Sequence, residues 1–147
     1  TGTWLCCKTV IPLMKKAGWG RIINLSSAIG LVGVPERTPY ASSKGAVTQL
    51  TRSLALELAG SGILVNAICP GFILTSLTEK MWADETMRTW GEGRVALNRL
   101  GTPEDLVGTA VFLASAGSDY VSGQSIYVDG GFMAGDDWPL PPVAASK

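Results

Sequence analysis

Apolar positions alternate between helical and strand spacing along the chain. In residues 4–17, Leu5, Val10, Leu13 and Met14 fall near helical spacing and predict an apolar helix. Lys15 and Lys16 occupy its last turn and Gly18 follows, an ordinary stop. Pro12 works against an unbroken helix. The run 21–25 (RIINL) is short and β-branched, a buried strand that ends in Ser26 and Ser27. Gly30 and Gly33 mark a loop. Thr38 and Pro39 predict a helix start, with Thr38 as N-cap and Pro39 at the first helical position. That helix extends to about Ala59, with Val47, Leu50, Leu54 and Leu58 as one stripe. The run 63–69 (ILVNAIC) is a second buried strand, closed by Pro70 and Gly71. Thr102 and Pro103 open a further helix to about Ala114, with Asp105 at the capping-box position. Residues 125–128 (SIYV) are a third strand, ending at Asp129, Gly130 and Gly131.

Strands that alternate with helices predict an α/β fold, a parallel sheet with helices on both faces. The strands are apolar on both faces, as buried parallel strands are. Residues 76–101 differ: they are polar, with Met81, Trp82, Met87 and Trp90 interspersed. Such a stretch reads as a helical lid over a substrate site. Residues 1–134 therefore form the domain, with 76–101 as its lid. The tail, 135–147, has three prolines between 139 and 142 and reads as extended.

Composition removes several functions. The chain has 147 residues, 46% apolar and 16% charged, which excludes intrinsic disorder. Twelve basic and twelve acidic residues balance to zero and form no basic block, so no nucleic-acid partner is expected. The absence of His removes imidazole bases and His metal sites; no metal is expected. Three cysteines, two of them adjacent, make neither a disulfide framework nor a zinc spacing. They suit a reducing, cytoplasmic setting. No apolar run is long enough to span a membrane.

In parallel sheets ligands bind at the carboxyl ends of the strands. Here those ends carry Ser27, then Pro70 and Gly71, then Asp129 and Gly130. Tyr40 and Lys44 stand four apart at the start of the second helix, on one face. An ammonium one turn from a tyrosine favours the phenolate, which suits the pair to proton exchange with an alcohol oxygen. Ser27 can hold that oxygen beside the phenol. Each feature alone is commonplace: a surface Tyr–Lys pair, a serine in a turn, a Pro–Gly turn. Their joint placement at strand ends carries the weight.

The segments GRIINLSSAIG, PYASSKGAV, ILVNAICPGFILT, GTPEDLVGTAVFLAS and VSGQSIYVDGG, in this order, resemble the C-terminal 60% or so of a short-chain dehydrogenase/reductase. The likeness covers residues 1 to about 134, and the gap of 13 from Ser27 to Tyr40 is the spacing that family uses. It implies a Rossmann-like sheet, here its C-terminal portion with three strands and lid helices. It implies an oxidoreductase that moves a hydride between NAD or NADP and a secondary alcohol or ketone, sugar acids such as gluconate included. Tyr40 would be the acid/base, Lys44 would assist it and bind the nicotinamide ribose, and Ser27 would orient the substrate oxygen. Tyr40, Lys44, Pro70, Gly71, Ile73 and Thr75 would line the cofactor. The Ile73 backbone would bond the carboxamide, and Thr75 would hold it or the pyrophosphate.

The family's Gly-rich phosphate loop, its Asn-Asn-Ala-Gly segment and the residue that selects NAD or NADP have no counterpart in the chain. The resemblance therefore implies a fragment, expected to be inactive in isolation. The competing expectation is a non-catalytic chain that retains only assembly surfaces. In the family the helices matching 4–17 and 39–59 pack between subunits, as can the 103–114 helix and last strand, so a homo-oligomer is expected, a dimer or tetramer in a full-length parent. Strand 21–25 would then be an apolar edge without its outer neighbour, an aggregation hazard.

Overall fold

The computed structural model describes residues 1–135. The expected tail lies outside the described residues apart from Gly135. The elements run α1 (Gly2–Ala17), β1 (Gly20–Leu25), α2 (Thr38–Glu57), β2 (Ile63–Pro70), α3 (Glu79–Trp82), α4 (Glu85–Gly93), α5 (Pro103–Ala114) and β3 (Ser125–Val128). The three strands form one parallel sheet in the order β1–β2–β3. Ile22 pairs with Val65 across the first ladder, and Ile68 pairs with Ile126 across the second. Among the described residues no helix is long and apolar enough to cross a membrane.

Helix α1 runs through Pro12 and closes on Gly18, whose N–H reaches the carbonyls of Lys15 and Met14. Pro12 lies on the exposed side, where a lost backbone bond is left to water. Thr38 is not the N-cap of α2. The bond from Ala41 N–H to the Arg37 carbonyl (2.8 Å) is already helical, so Arg37 takes that place and Pro39 falls inside the first turn. Its missing N–H is one that no helix satisfies at this point.

One face of the sheet meets α1 and α2. Cys7, Ile22, Leu54, Leu58, Ile63 and Val65 form its core, with Val10, Ile11, Met14 and Leu50 around them. The predicted stripe on α2 is only partly the buried line. Leu54 and Leu58 are buried, Val47 and Leu50 half-buried, and Thr48 and Thr51 lie deeper. They face a buried polar ladder. Asn24 donates to Thr51 Oγ1 (2.9 Å), and Cys7 Sγ donates to Asn24 Oδ1 (3.6 Å). Ser26 Oγ donates to the Lys44 carbonyl (2.8 Å) and meets Thr48 Oγ1 at 2.9 Å. Helix α5 packs against all three strands from the other face. There Arg21 pairs with Asp119 beyond α5, and its guanidinium lies over Trp19 at 4.9 Å.

Gly62 sits at the entry to β2 with φ +75°, and a Cβ there would strike the Gly18 carbonyl. The same close approach brings Gly20 N–H to the Gly62 carbonyl at 3.1 Å.

Among the described residues strand β1 is an edge. Alternate peptide groups bond β2, as with Gly20 and Ser26, so those of Arg21, Ile23 and Leu25 point outward. Leu25 is 58% exposed, and its carbonyl accepts from Lys44 Nζ. The edge and the apolar residues beside it are expected to drive association. Sedimentation at micromolar concentration is expected to find oligomers or aggregates; a monodisperse 15.4 kDa species would show that three strands suffice.

Candidate active site

Three strand ends and the loops beyond them converge on one side of the sheet. Ser27 follows β1 with extended backbone and is 7% exposed. Its Oγ accepts a weak bond from Ile29 N–H (3.3 Å), and among the described residues it spends its proton on no acceptor. The short turn Ala28–Gly30 then folds the chain against α2. A Cβ on Gly30 would lie 2.9 Å from the Lys44 backbone, so only a glycine lets this turn sit so close. The sequence marks Gly30 as a loop residue but gives no sign of this contact, which fixes Ser27 relative to α2.

Tyr40 lies in the first turn of α2, 46% exposed, and Lys44 one turn on. Lys44 Nζ donates to the Leu25 carbonyl (2.9 Å) and stands 5.8 Å from the centroid of the Tyr40 ring. The ammonium is thus anchored to the strand end that carries Ser27, and an ammonium has two further donors to offer. The polar ladder below holds the Lys44 backbone from the other side.

Pro70 ends β2, and Gly71 N–H bonds the Val128 carbonyl at 3.1 Å. Ile73 makes a single parallel bridge with Gly101, through Gly101 N–H to Phe72 O (2.9 Å) and Leu74 N–H to Gly101 O (2.8 Å). That pattern turns the Ile73 peptide away from Gly101. Thr75, half-buried, is hydrogen-bonded to Thr78, a residue the sequence reading does not single out.

An open cleft of about 640 Å³ lies between the 29–35 loop, Phe72, the end of α4 and residues 132–135; Ser27, Tyr40, Lys44, Ile73 and Thr75 do not line it. Ile29, Val34, Phe72, Trp90, Phe132 and Arg94 are among its walls. Phe72 is the hub: its ring centroid lies 4.8 Å from Phe132, 5.5 Å from Trp82 and 5.6 Å from Trp90. Residues 76–101 contain two short helices, α3 and α4, and buried Trp82 pins them to Phe72.

The thiols lie away from the cleft. Burial pushes Cys69 up, opposed by the hydroxyls of Ser26, Ser125 and Thr48; burial also pushes Cys7 up. Neither provides a thiolate near neutral pH.

At the base of α5, Arg99 grips Asp105 with two bonds (2.7 and 2.8 Å), and Thr102 N–H adds a third at 2.8 Å. These hold the Asp105 carboxyl well below the usual carboxylate range, the Arg99 bonds most of all. A depressed folded value stabilises above the unfolded value and is lost as pH falls through the folded one. The junction of lid and α5 is therefore expected to loosen progressively as pH falls below about 4, seen as falling amide protection factors at residues 99–105. Asp105→Asn is expected to flatten that dependence.

Residues 1–133 match the family described as enoyl-(acyl carrier protein) reductase. The chain is 44% identical over 132 residues to the 3-oxoacyl-[acyl-carrier-protein] reductase FabG of Thermotoga maritima, covering 90% of this chain and 53% of that protein. It is 41% identical over 133 residues to the 5-keto-D-gluconate 5-reductase of Escherichia coli K12, covering 90% and 52%. A solved gluconate 5-dehydrogenase from Burkholderia cenocepacia, in complex with NADP and tartrate, superposes with TM-score 0.89 at 36% identity, over 92% of this chain and 53% of that one. The chain spans about half the length of the curated relatives it matches.

Proposed function

The chain belongs to the short-chain dehydrogenase/reductase family, and from that premise we propose that its site serves hydride transfer between NAD or NADP and a secondary alcohol or ketone. The observation that carries this reading is the anchoring of Lys44 Nζ on the Leu25 carbonyl, which brings the Tyr40–Lys44 face of α2 to the strand end bearing Ser27. The donor set fits a nicotinamide nucleotide. Ile73 N–H is unspent among the described residues, Thr75 is half-buried beside it, and Lys44 has ammonium donors left for a ribose hydroxyl.

Tyr40 gives or takes the proton at the substrate oxygen. Ser27, whose hydroxyl proton meets no acceptor among the described residues, donates to that oxygen and orients it. Lys44 supports Tyr40 electrostatically and holds the ribose. Pro70, Gly71, Ile73 and Thr75 form the shelf for the nicotinamide end, and the nicotinamide when bound supplies or accepts the hydride. Phe72 and Phe132 give the substrate an apolar wall. Residues 76–101 act as the lid. Likeness to the keto-gluconate reductase and gluconate 5-dehydrogenase supports sugar acids as substrates; likeness to FabG supports 3-oxoacyl groups.

Two roles for Lys44 give the test. In a version of the chain fused to a Gly-rich phosphate-binding half, Lys44→Ala is expected to weaken NADH binding and lower the rate together. Ser27→Ala is expected to lower the rate alone. Fluorescence titration with NADH beside steady-state rates separates them; unchanged NADH affinity in Lys44→Ala would remove the ribose role.

A second reading, assembly without turnover, is supported by the open β1 edge and by exposed Leu5 and Leu13 on α1 and Val107 and Val111 on α5. It predicts oligomers with no turnover even after such a fusion.

A further inference from the structure

The segment after β2 contains a side chain that the mechanism above leaves unused, Thr78. Its Oγ1 lies 2.7 Å from the Ile73 carbonyl oxygen, 2.9 Å from Thr75 N and 3.1 Å from Thr75 Oγ1. A hydroxyl has one proton and two lone pairs. The nearest acceptor is the Ile73 carbonyl, so the Thr78 proton goes there; the Thr75 carbonyl, at 3.4 Å, is the poorer choice. Thr75 N–H donates into one lone pair. The other faces Thr75 Oγ1, and two oxygens at 3.1 Å need one proton between them. Thr78 has already spent its own, so Thr75 donates.

The consequence is a fixed polarity. Thr75 has given its proton away and offers only lone-pair density, one side of which faces Thr78 N–H at 3.3 Å. The Ile73 carbonyl is occupied by Thr78, whereas the Ile73 N–H is unspent among the described residues. Of the groups that Thr78 touches or flanks, Ile73 N–H is thus left as a donor and Thr75 Oγ1 as an acceptor.

We infer that Thr78 is a positioning residue that makes this loop selective for a primary carboxamide. A carboxamide brings one acceptor oxygen and one N–H₂ donor, the complement of what the loop presents. A carboxylate or a phosphate brings acceptors only, and would set an oxygen against the lone pairs of Thr75. This rests on the reading that the loop holds the nicotinamide end of the cofactor. Without the Thr78 hydroxyl, Thr75 regains its proton and the loop loses its preference.

The chain fused to a Gly-rich phosphate-binding half and ¹⁵N-labelled provides the test. Two probes are titrated, nicotinamide mononucleotide and nicotinic acid mononucleotide, which differ by carboxamide against carboxylate. The Ile73 and Thr75 amide resonances are expected to respond to the carboxamide at least about tenfold more tightly, the scale of one well-made hydrogen bond. Thr78→Val is expected to bring the two probes within about twofold, and Thr78→Ser to restore the difference. Should Thr78→Val fail to fold, Thr75→Val decides, because removing the acceptor must erase the preference as well. An unchanged preference in Thr78→Val, or its loss in Thr78→Ser, overturns the role of Thr78 and leaves the nicotinamide reading intact. No response of residues 70–78 to either probe overturns both.

Discussion

Tyr40→Phe is expected to cost at least about 10²-fold in kcat, the scale of a general acid–base group, or about 2.7 kcal/mol of barrier. The assay uses the chain fused to a Gly-rich phosphate-binding half, with NADH affinity measured in parallel. The substitution is a clean one here. The phenol hydroxyl bonds no described residue, and the ring is 46% exposed. Phe therefore removes the proton carrier and leaves the packing of α2 as it was. Affinity for NADH is expected to hold, because Lys44 and the 70–75 shelf remain. A variant that kept most of its rate would place the proton elsewhere and end the role of Tyr40.

Gly62→Ala is expected to destabilise the fold by at least about 3 kcal/mol, a large part of what a small domain has. Two costs add. At φ +75° an alanine sits in the left-handed region, which costs about 1–2 kcal/mol. Its Cβ also strikes the Gly18 carbonyl, so the α1–β1 turn must move away from the entry to β2. That turn carries Gly20, the first rung of the β1–β2 ladder. The expected result is a fall in the urea midpoint large enough to leave much of the chain unfolded at 25 °C. A midpoint within error of the parent would mean that the two backbones are not in contact.

The order of elements was legible because each had a local cause: β-branched runs for β1 and β2, Gly18 for the end of α1, and Asp105 for the start of α5. So were the strand ends at Ser27 and at Pro70 and Gly71, since both follow such a run directly. Errors arose where tertiary contact outweighed local pattern. Apolar spacing made Leu50 and Val47 the inner line of α2, but Asn24 and Ser26 on β1 draw Thr48 and Thr51 inward instead. Thr38 has the chemistry of an N-cap, but the helix begins one residue earlier. Within the candidate site, Tyr40 and Lys44 were visible as a spacing on one helix. Phe72 as the hub of four aromatic rings, Gly30 against Lys44 and Thr78 against Ile73 were not, because each pairing depends on how two segments meet.

The polar ladder under α2 also works as a measuring device. Asn24 and Ser26 are two residues apart on a strand, about 6.6 Å. Thr48 and Thr51 are three apart on a helix, about 4.5 Å. Two unequal rulers that must coincide at two marks allow one setting, as on a vernier. A slip of one turn sets Leu54 or Ala55 against Asn24, or Gly45 against Ser26, and strands a buried amide or hydroxyl at about 1–3 kcal/mol. An apolar interface of the same area would tolerate the slip far better, since one aliphatic side chain replaces another. The reach of the Tyr40 phenol is therefore metered by hydroxyls eight and eleven residues away; Thr48→Val with Thr51→Val removes both marks, leaves the Asn24 amide without that acceptor, and is expected to lower the urea midpoint.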